Sequence, residues 1–265
     1  MKRPNVIAAA LVLAAGSAHA QDAVARRVDA APDGEVRISF AAKPDVCGWQ
    51  EGISFRGSQV VTEGTRTVNN GNWSRPGEME CLKGPVRVTL VKRDGRVSDV
   101  RTRVAYPFQA RGGRVTDLGT LDPREASAYL LSLAERTPNG GVGKDLIFAA
   151  TLAEGAVSWP VLLRIARRES IPRDTRQSAV FWLSQEASES ATRGLQEIVD
   201  AAGDQGVRKQ AVFALSQRPN NEAVPALIRI ARTHRDPELR RTAIFWLGQS
   251  KDPRALALFE EILAR

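Results

Sequence analysis

Histidine, cysteine and methionine each occur only twice in the 265-residue chain. So few imidazoles and thiols leave little material for a zinc site or for a histidine-based catalytic site. Glycine is present, but not in a phosphate-binding pattern: Gly140-Gly141-Val142-Gly143-Lys144 lacks the Walker spacing and reads as a glycine-rich turn. No run reaches the ~18 apolar residues that a membrane-spanning helix needs. The residue types present, 43% hydrophobic and 26% charged, are nonetheless those of a globular chain. These absences predict no catalytic residues, no metal site and no cofactor.

The N-terminus reads as a targeting segment. Lys2 and Arg3 precede an apolar stretch from Val6 to Ala15, and Ala18-His19-Ala20 has the small-x-small form of a cleavage site. Cleavage after Ala20 makes Gln21 the first mature residue and predicts a periplasmic or secreted protein. Removing 20 residues from 265 leaves 245, and losing Lys2 and Arg3 lowers the formal charge from +8 to +6. That modest excess predicts no nucleic-acid partner. His234 is then the only histidine, placed in a turn and expected to be solvated. In an oxidising compartment the even pair Cys47 and Cys81 predicts a disulfide.

Two unlike halves follow. Residues 21–33 read as a loose leader, and 34–121 as a small antiparallel β domain clipped by the disulfide. Val36, Ile38 and Phe40 alternate with polar residues, as in a half-buried strand. Runs Val86–Leu90 and Val97–Val104 flank Arg93-Asp94-Gly95, a hairpin signal. A two-residue turn would set Val88 and Leu90 opposite Arg101 and Asp99. A three-residue turn would set them opposite Val100 and Ser98, the more apolar and therefore preferred register. Gly52–Phe55, Gln59–Thr62 and Arg114–Leu118 are shorter candidate strands. Trp49, Trp73, Tyr106 and Phe108 are read as core, and 68–73 as a surface loop.

Residues 122–265 carry a repeat. Ala179-Val180-Phe181-Trp182-Leu183-Ser184-Gln185 returns as Ala211-Val212-Phe213-Ala214-Leu215-Ser216-Gln217 and again as Ala243-Ile244-Phe245-Trp246-Leu247-Gly248-Gln249, at steps of 211 − 179 = 32 and 243 − 211 = 32. A second helical pattern, Leu162/Ile165, Leu195/Ile198, Leu227/Ile230 and Phe259/Ile262, alternates with it. A helix–turn–helix unit of this period is the signature of an α-solenoid. Asp204-Gln205-Gly206-Val207-Arg208 and Asp236-Pro237-Glu238-Leu239-Arg240 open the second helices. Each Asp and Arg stands i, i+4 and is read as a structural pair. With these motifs the segment resembles HEAT repeats of the short bacterial type. Pro172 departs from the pattern where an Asp is expected, and Ala126–Leu152 would be a degenerate first pair whose second helix opens at Asp145. The fold class is therefore α+β multidomain, a β domain followed by an all-α HEAT-like solenoid. The resemblance implies partner binding on a concave face and no reaction.

Helical geometry places Leu239, Ala243, Trp246 and Leu247 on one buried stripe, and Trp182 on its equivalent. Gln177, Phe181, Lys209, Phe213, Arg241 and Phe245 fall on the opposite side and are the candidate partner-binding residues. The competing reading packs each Phe sideways on the next repeat. The expectation is an exported, non-catalytic interaction or scaffold module whose partner is a protein of the cell envelope. A ligand-binding β domain is the alternative, and a bilin-lyase-like enzyme a more distant one.

Overall fold

The computed structural model describes residues 23–49, 52–55, 58–61, 81–109, 111–186 and 188–264. The targeting segment and the loop around Trp73 lie outside them. The chain forms two compact units, one ending at Val157 and the other running from Ser158 to Arg265.

The first unit contains α1 (residues 23–30), β1 (Gly34–Phe40), β2 (Val46–Trp49), β3 (Gly52–Phe55), β4 (Ser58–Val61), β5 (Val86–Arg93), β6 (Arg96–Val104), β7 (Val115–Thr120), α2 (Pro123–Arg136) and α3 (Gly140–Thr151). Its main sheet has the order β6-β5-β1-β7, and β2-β3-β4 form a second, antiparallel sheet. The main sheet is mixed, because β7 runs parallel to β1. The segment after β6 returns across the sheet before β7 begins: Arg37 donates to the Gln109 carbonyl (3.0 Å) and Arg87 to those of Ala105 and Tyr106 (3.0 and 2.9 Å). This crossover corrects the wholly antiparallel reading. Alternation puts Val36, Ile38 and Phe40 fully inside with Val86, Val88 and Leu90.

The β5–β6 hairpin takes neither expected register. Asp94 and Gly95 form a two-residue turn with φ of 52° and 70°, and Arg93 pairs with Arg96. A bulge then shifts the strands, so that Leu90 faces Val100, Val88 faces Thr102 and Val86 faces Val104. Ser98 is the extra residue, and its hydroxyl donates to the Val91 carbonyl (3.2 Å). The bulge reconciles a tight turn with an apolar inner face. Asp33 accepts from the amides of Asp94 and Gly95 (2.8 and 3.0 Å), and these bonds, that from Gly95 foremost, hold its carboxyl below the usual range.

The stretch read as a loose leader is largely helical. Val24 and Val28 of α1 are buried. Lys92, only 4% exposed, donates to the carbonyls of Val28, Asp29 and Ala31 (2.8, 3.0 and 2.6 Å) and so closes the C-terminal end of α1. Arg27 reaches the Leu118 carbonyl on β7 (2.7 Å). A Cβ on Gly48 would stand 2.2 Å from the Val104 carbonyl oxygen, so β2 can approach the end of β6 only with glycine there. Cys47 on β2 is disulfide-bonded to Cys81, with Cα atoms 5.4 Å apart. Trp49, Tyr106 and Phe108 are half-buried rather than core.

The boundary at 121/122 does not separate the compact units. Lys43 donates its amide to the Leu152 carbonyl (2.8 Å) and Glu154 to that of Ala41 (2.9 Å), which ties the end of α3 to the chain after β1. The pair α2–α3 thus completes the sheet's core, with Leu130, Leu146 and Ile147 fully buried. Its second helix opens at Gly140 under an Asn139 cap. The glycine-rich stretch is therefore the first turn of a helix, and Asp145 lies in the helix interior. Burial pushes the Asp145 carboxyl up to about 6, against the opposing effect of Lys144.

The second unit consists of α4 (Trp159–Arg167), α5 (Arg173–Ser184), α6 (Glu189–Ala201), α7 (Gln205–Ser216), α8 (Asn220–Thr233), α9 (Pro237–Gln249) and α10 (Pro253–Leu263). Helices α4/α5, α6/α7 and α8/α9 pair, and the second helices α5, α7 and α9 also pack side by side. Leu162, Ile165, Leu195, Ile198, Leu227 and Ile230 line the first helices' buried side. In α10 the pattern weakens: Phe259 is half-buried and Ile262 is 45% exposed.

Candidate functional site

Each second helix begins at a conformational stop and is joined to its neighbour by charge. Asp204 caps α7 by accepting from Gly206 and Val207 (2.8 and 3.1 Å), and Asp236 caps α9 by accepting from Glu238 (2.9 Å). Pro172 occupies the same place on α5 and makes no side-chain cap; Asp174 lies in the first turn instead. The paired arginines do not meet the Asp of their own helix. Arg176 bridges to Asp204 at 3.1 Å and Arg208 to Asp236 at 3.5 Å, each one repeat ahead. The capping Asp is held by its helix's own amides, so its second oxygen turns to the preceding repeat. Burial opposes the charge on Asp204, but the Val207 amide, Arg173 and Arg176 outweigh it and keep the carboxyl below the usual range. Arg240 donates to the carbonyls of His234 and Arg235 (2.7 and 3.2 Å).

Two residues of the turns behave otherwise than expected. His234 is 8% exposed, not solvated: its Nδ1 accepts from the Asp236 amide at 3.0 Å. That bond fixes the ring against the cap of α9. Arg218, only 7% exposed, was not singled out by sequence. Its guanidinium donates to the Thr192 hydroxyl (2.8 Å), to the carbonyls of Ser184, Glu186 and Ser188, and to Glu222 (3.1 Å). One side chain thereby ties the loop after α7 to the loop after α5. The sequence signal is slight, since Glu186 and Ser250 fill the equivalent positions in the neighbouring repeats.

The six candidate partner-binding residues occupy equivalent places on α5, α7 and α9, but not one uniform face. Gln177, Phe181, Lys209 and Phe213 are half-buried, whereas Arg241 and Phe245 are exposed. The sideways packing holds at one step: the Phe213 ring lies 4.9 Å from that of Trp246 in the next repeat. Phe181 is set edge-on to Trp182 at 5.2 Å, and Phe245 edge-on to Trp246 at 5.0 Å. Trp182 is buried, but Trp246, between two phenylalanines, is only half-buried. The basic members share one acid. Lys209 donates to Glu238 at 3.1 Å and Arg241 also bonds it; together, Lys209 first, they lower its carboxyl's pKa.

Among the described residues no three His, Cys, Asp or Glu side chains stand together as metal ligands, and no helix is long and apolar enough to cross a membrane. A family model described as HEAT repeats matches residues 192–265, and none matches the N-terminal half. No curated protein matches the chain. Residues 192–265 are thus similar to HEAT repeats, which suggest a solenoid of the protein-interaction type.

Proposed function

We propose that the protein is an exported, non-catalytic scaffold of the cell envelope that binds a protein partner along α5, α7 and α9. The observation that supports this reading is the recurrence of an aromatic residue and a polar or basic one at matching places on three adjacent helices. Aromatic rings beside cations are common in recognition surfaces. The binding surface is centred on Phe245 and Arg241, with Lys209, Phe213, Phe181 and Gln177 continuing it toward the first repeat. Export rests on the N-terminal pattern ending at Ala20 and accords with the disulfide between Cys47 and Cys81.

Capture from envelope extract by the full-length protein tests this reading. Phe245→Ala with Arg241→Glu should abolish capture of the specific partner while the melting temperature stays near that of the parent. Unchanged capture by this stable double variant refutes the surface. N-terminal sequencing of the exported protein should begin at Gln21, and a start at Met1 refutes export by cleavage.

A further inference from the structure

Helices α7 and α9 show how one second helix of the array seats the next. Three side chains of α7 reach forward: Arg208 to Asp236 at the cap of α9 (3.5 Å), Lys209 to Glu238 in its first turn (3.1 Å), and Phe213 to the Trp246 ring (4.9 Å). The first helix α8 supplies the other wall, and α9 packs against both. Val224, Ile230 and Ala231 of α8 are buried.

The same three positions recur on α9 one step of 32 later, as Arg240, Arg241 and Phe245. No second helix follows α10 among the described residues, and each of the three turns to a substitute. Arg240 donates to carbonyls of its own turn, Arg241 bonds Glu238 of its own helix, and Phe245 rests on Trp246 with most of its surface exposed. Helix α10 repeats the difference. Its Leu256, Ile262 and Leu263 stand in the places of Val224, Ile230 and Ala231, yet all three are exposed. A Cβ on Gly248 of α9 would meet the Phe259 ring of α10 at 4.0 Å, so the two walls adjoin. The groove between α9 and α10 thus matches the one that α9 fills between α7 and α8.

We propose that this groove binds an amphipathic helix of a partner protein, one that opens on acidic residues and carries an aromatic ring ten positions after its cap. The pattern is that of α9 itself, with Asp236 and Glu238 at its start and Trp246 at 246 − 236 = 10. Acids at that end also suit the positive pole of the helix dipole. The apolar walls supply the burial, and the two arginines set the direction of the bound helix. A second copy of this chain fits less well. Among the described helices α9 alone has both acids and the ring, and α7 already holds that side of it. The nearest substitute, α5, has Pro172 in place of the capping acid and a buried Trp182. The inference rests on the reading above for Phe245 and Arg241 and adds the partner's chemistry.

The test follows, by fluorescence anisotropy, the binding of a labelled peptide copying residues 236–249 to the full-length protein. Its comparison is the same peptide with Asp236→Asn and Glu238→Gln. The parent should hold the acidic peptide about fivefold more tightly, as two exposed ion pairs allow, and the difference should shrink as salt rises. Leu256→Glu puts a charge on the apolar wall, outside the residues varied above. It should weaken peptide binding about tenfold or more, with the melting temperature of the parent. Should Leu256→Glu melt early, Leu263→Glu replaces it at a more exposed position. The proposal is overturned if the parent binds neither peptide or both alike, or if the stable α10 variant binds as the parent does. It is overturned too if the parent self-associates and Leu256→Glu makes it monomeric, since a second copy then fills the groove. Capture from envelope extract that is lost in Phe245→Ala with Arg241→Glu but intact in Leu256→Glu would uphold the earlier surface and refute the groove. Peptide binding that Leu256→Glu abolishes, with no partner captured from extract, would uphold the groove and refute the earlier reading.

Discussion

The two units use arginine in opposite ways. In the solenoid, arginines are bonds between neighbours: Arg176 reaches Asp204, Arg208 reaches Asp236, and Arg218 joins two successive loops. In the sheet unit, six arginines lie on one face, where Glu35 bridges Arg37 and Arg101 and Asp99 bridges Arg101 within the same sheet. That unit is held by its buried strands, the disulfide and the contacts of Lys92 with α1, and its arginines reach backbone carbonyls rather than a next copy of themselves. Charge in a repeat array can do structural work because each side chain meets the next copy of its own environment. In this sheet the apolar face forms the core, and arginines of the polar face bond backbone carbonyls of the segment that crosses it.

Substitutions can break this comparison at either end. The largest effect is expected from Arg218→Ala, which strands Glu222 and three carbonyls; removing one partner of a buried charge pair costs about 3–5 kcal/mol. Urea melts should show the loss in the solenoid with the sheet unit's transition unmoved, and a shared loss would show that the units do not behave separately. Replacing Cys47 and Cys81 by Ser should cost about 3–4 kcal/mol, the chain-entropy value for a loop closed over 34 residues. That loss should fall on the sheet unit alone.

A finer comparison lies within the solenoid. Phe213→Ala removes a half-buried ring packed on Trp246 and should cost about 2 kcal/mol, below the value for a core aromatic. Phe245→Ala, at a ring 58% exposed, should cost less than about 0.5 kcal/mol. Equal costs would mean that the two rings share one environment.

Smaller than the cost at Phe213 is the effect expected at Asp145, whose carboxyl is raised by burial to about 6. Its protonated form is the one the fold favours, so the folded state holds more protons than the unfolded chain between about pH 4 and 6, and stability falls as pH rises through that window. Asp145→Asn should therefore raise stability at pH 7.5, by about 1 kcal/mol once solvent screening is allowed for, with no gain at pH 3.5. Melts of both proteins at the two pH values would measure it.

The repeat made the solenoid readable. A 32-residue step fixes which residues are equivalent, so the buried positions of α5, α7 and α9 follow from one helix. The same step could not say that Arg208 turns to Asp236 rather than Asp204, because i, i+4 geometry offers a nearer acid. Only the cap made by Asp204 with its own amides settles that choice. Arg218 was hidden for a related reason, since the carbonyls it bonds lie in the preceding repeat. In the sheet unit, strands with strict alternation were legible, but register was not, because one unpaired residue at Ser98 displaces every pair beyond it. The parallel entry of β7 and the docking of α1 depend on partners far along the chain, and no local pattern announces them.

The lock that Lys92 places on α1 also orders events in time. Helix α1 lies at the start of the described chain, yet its C-terminal carbonyls are closed by an ammonium 64 residues later, on a strand that must first pair within the sheet. During synthesis that lysine emerges long after the helix, so the residues made first are fastened late. A chain threaded N-terminus first through a narrow channel would keep this leading segment unfastened throughout its passage. It would tighten only after the hairpin had cleared the far side.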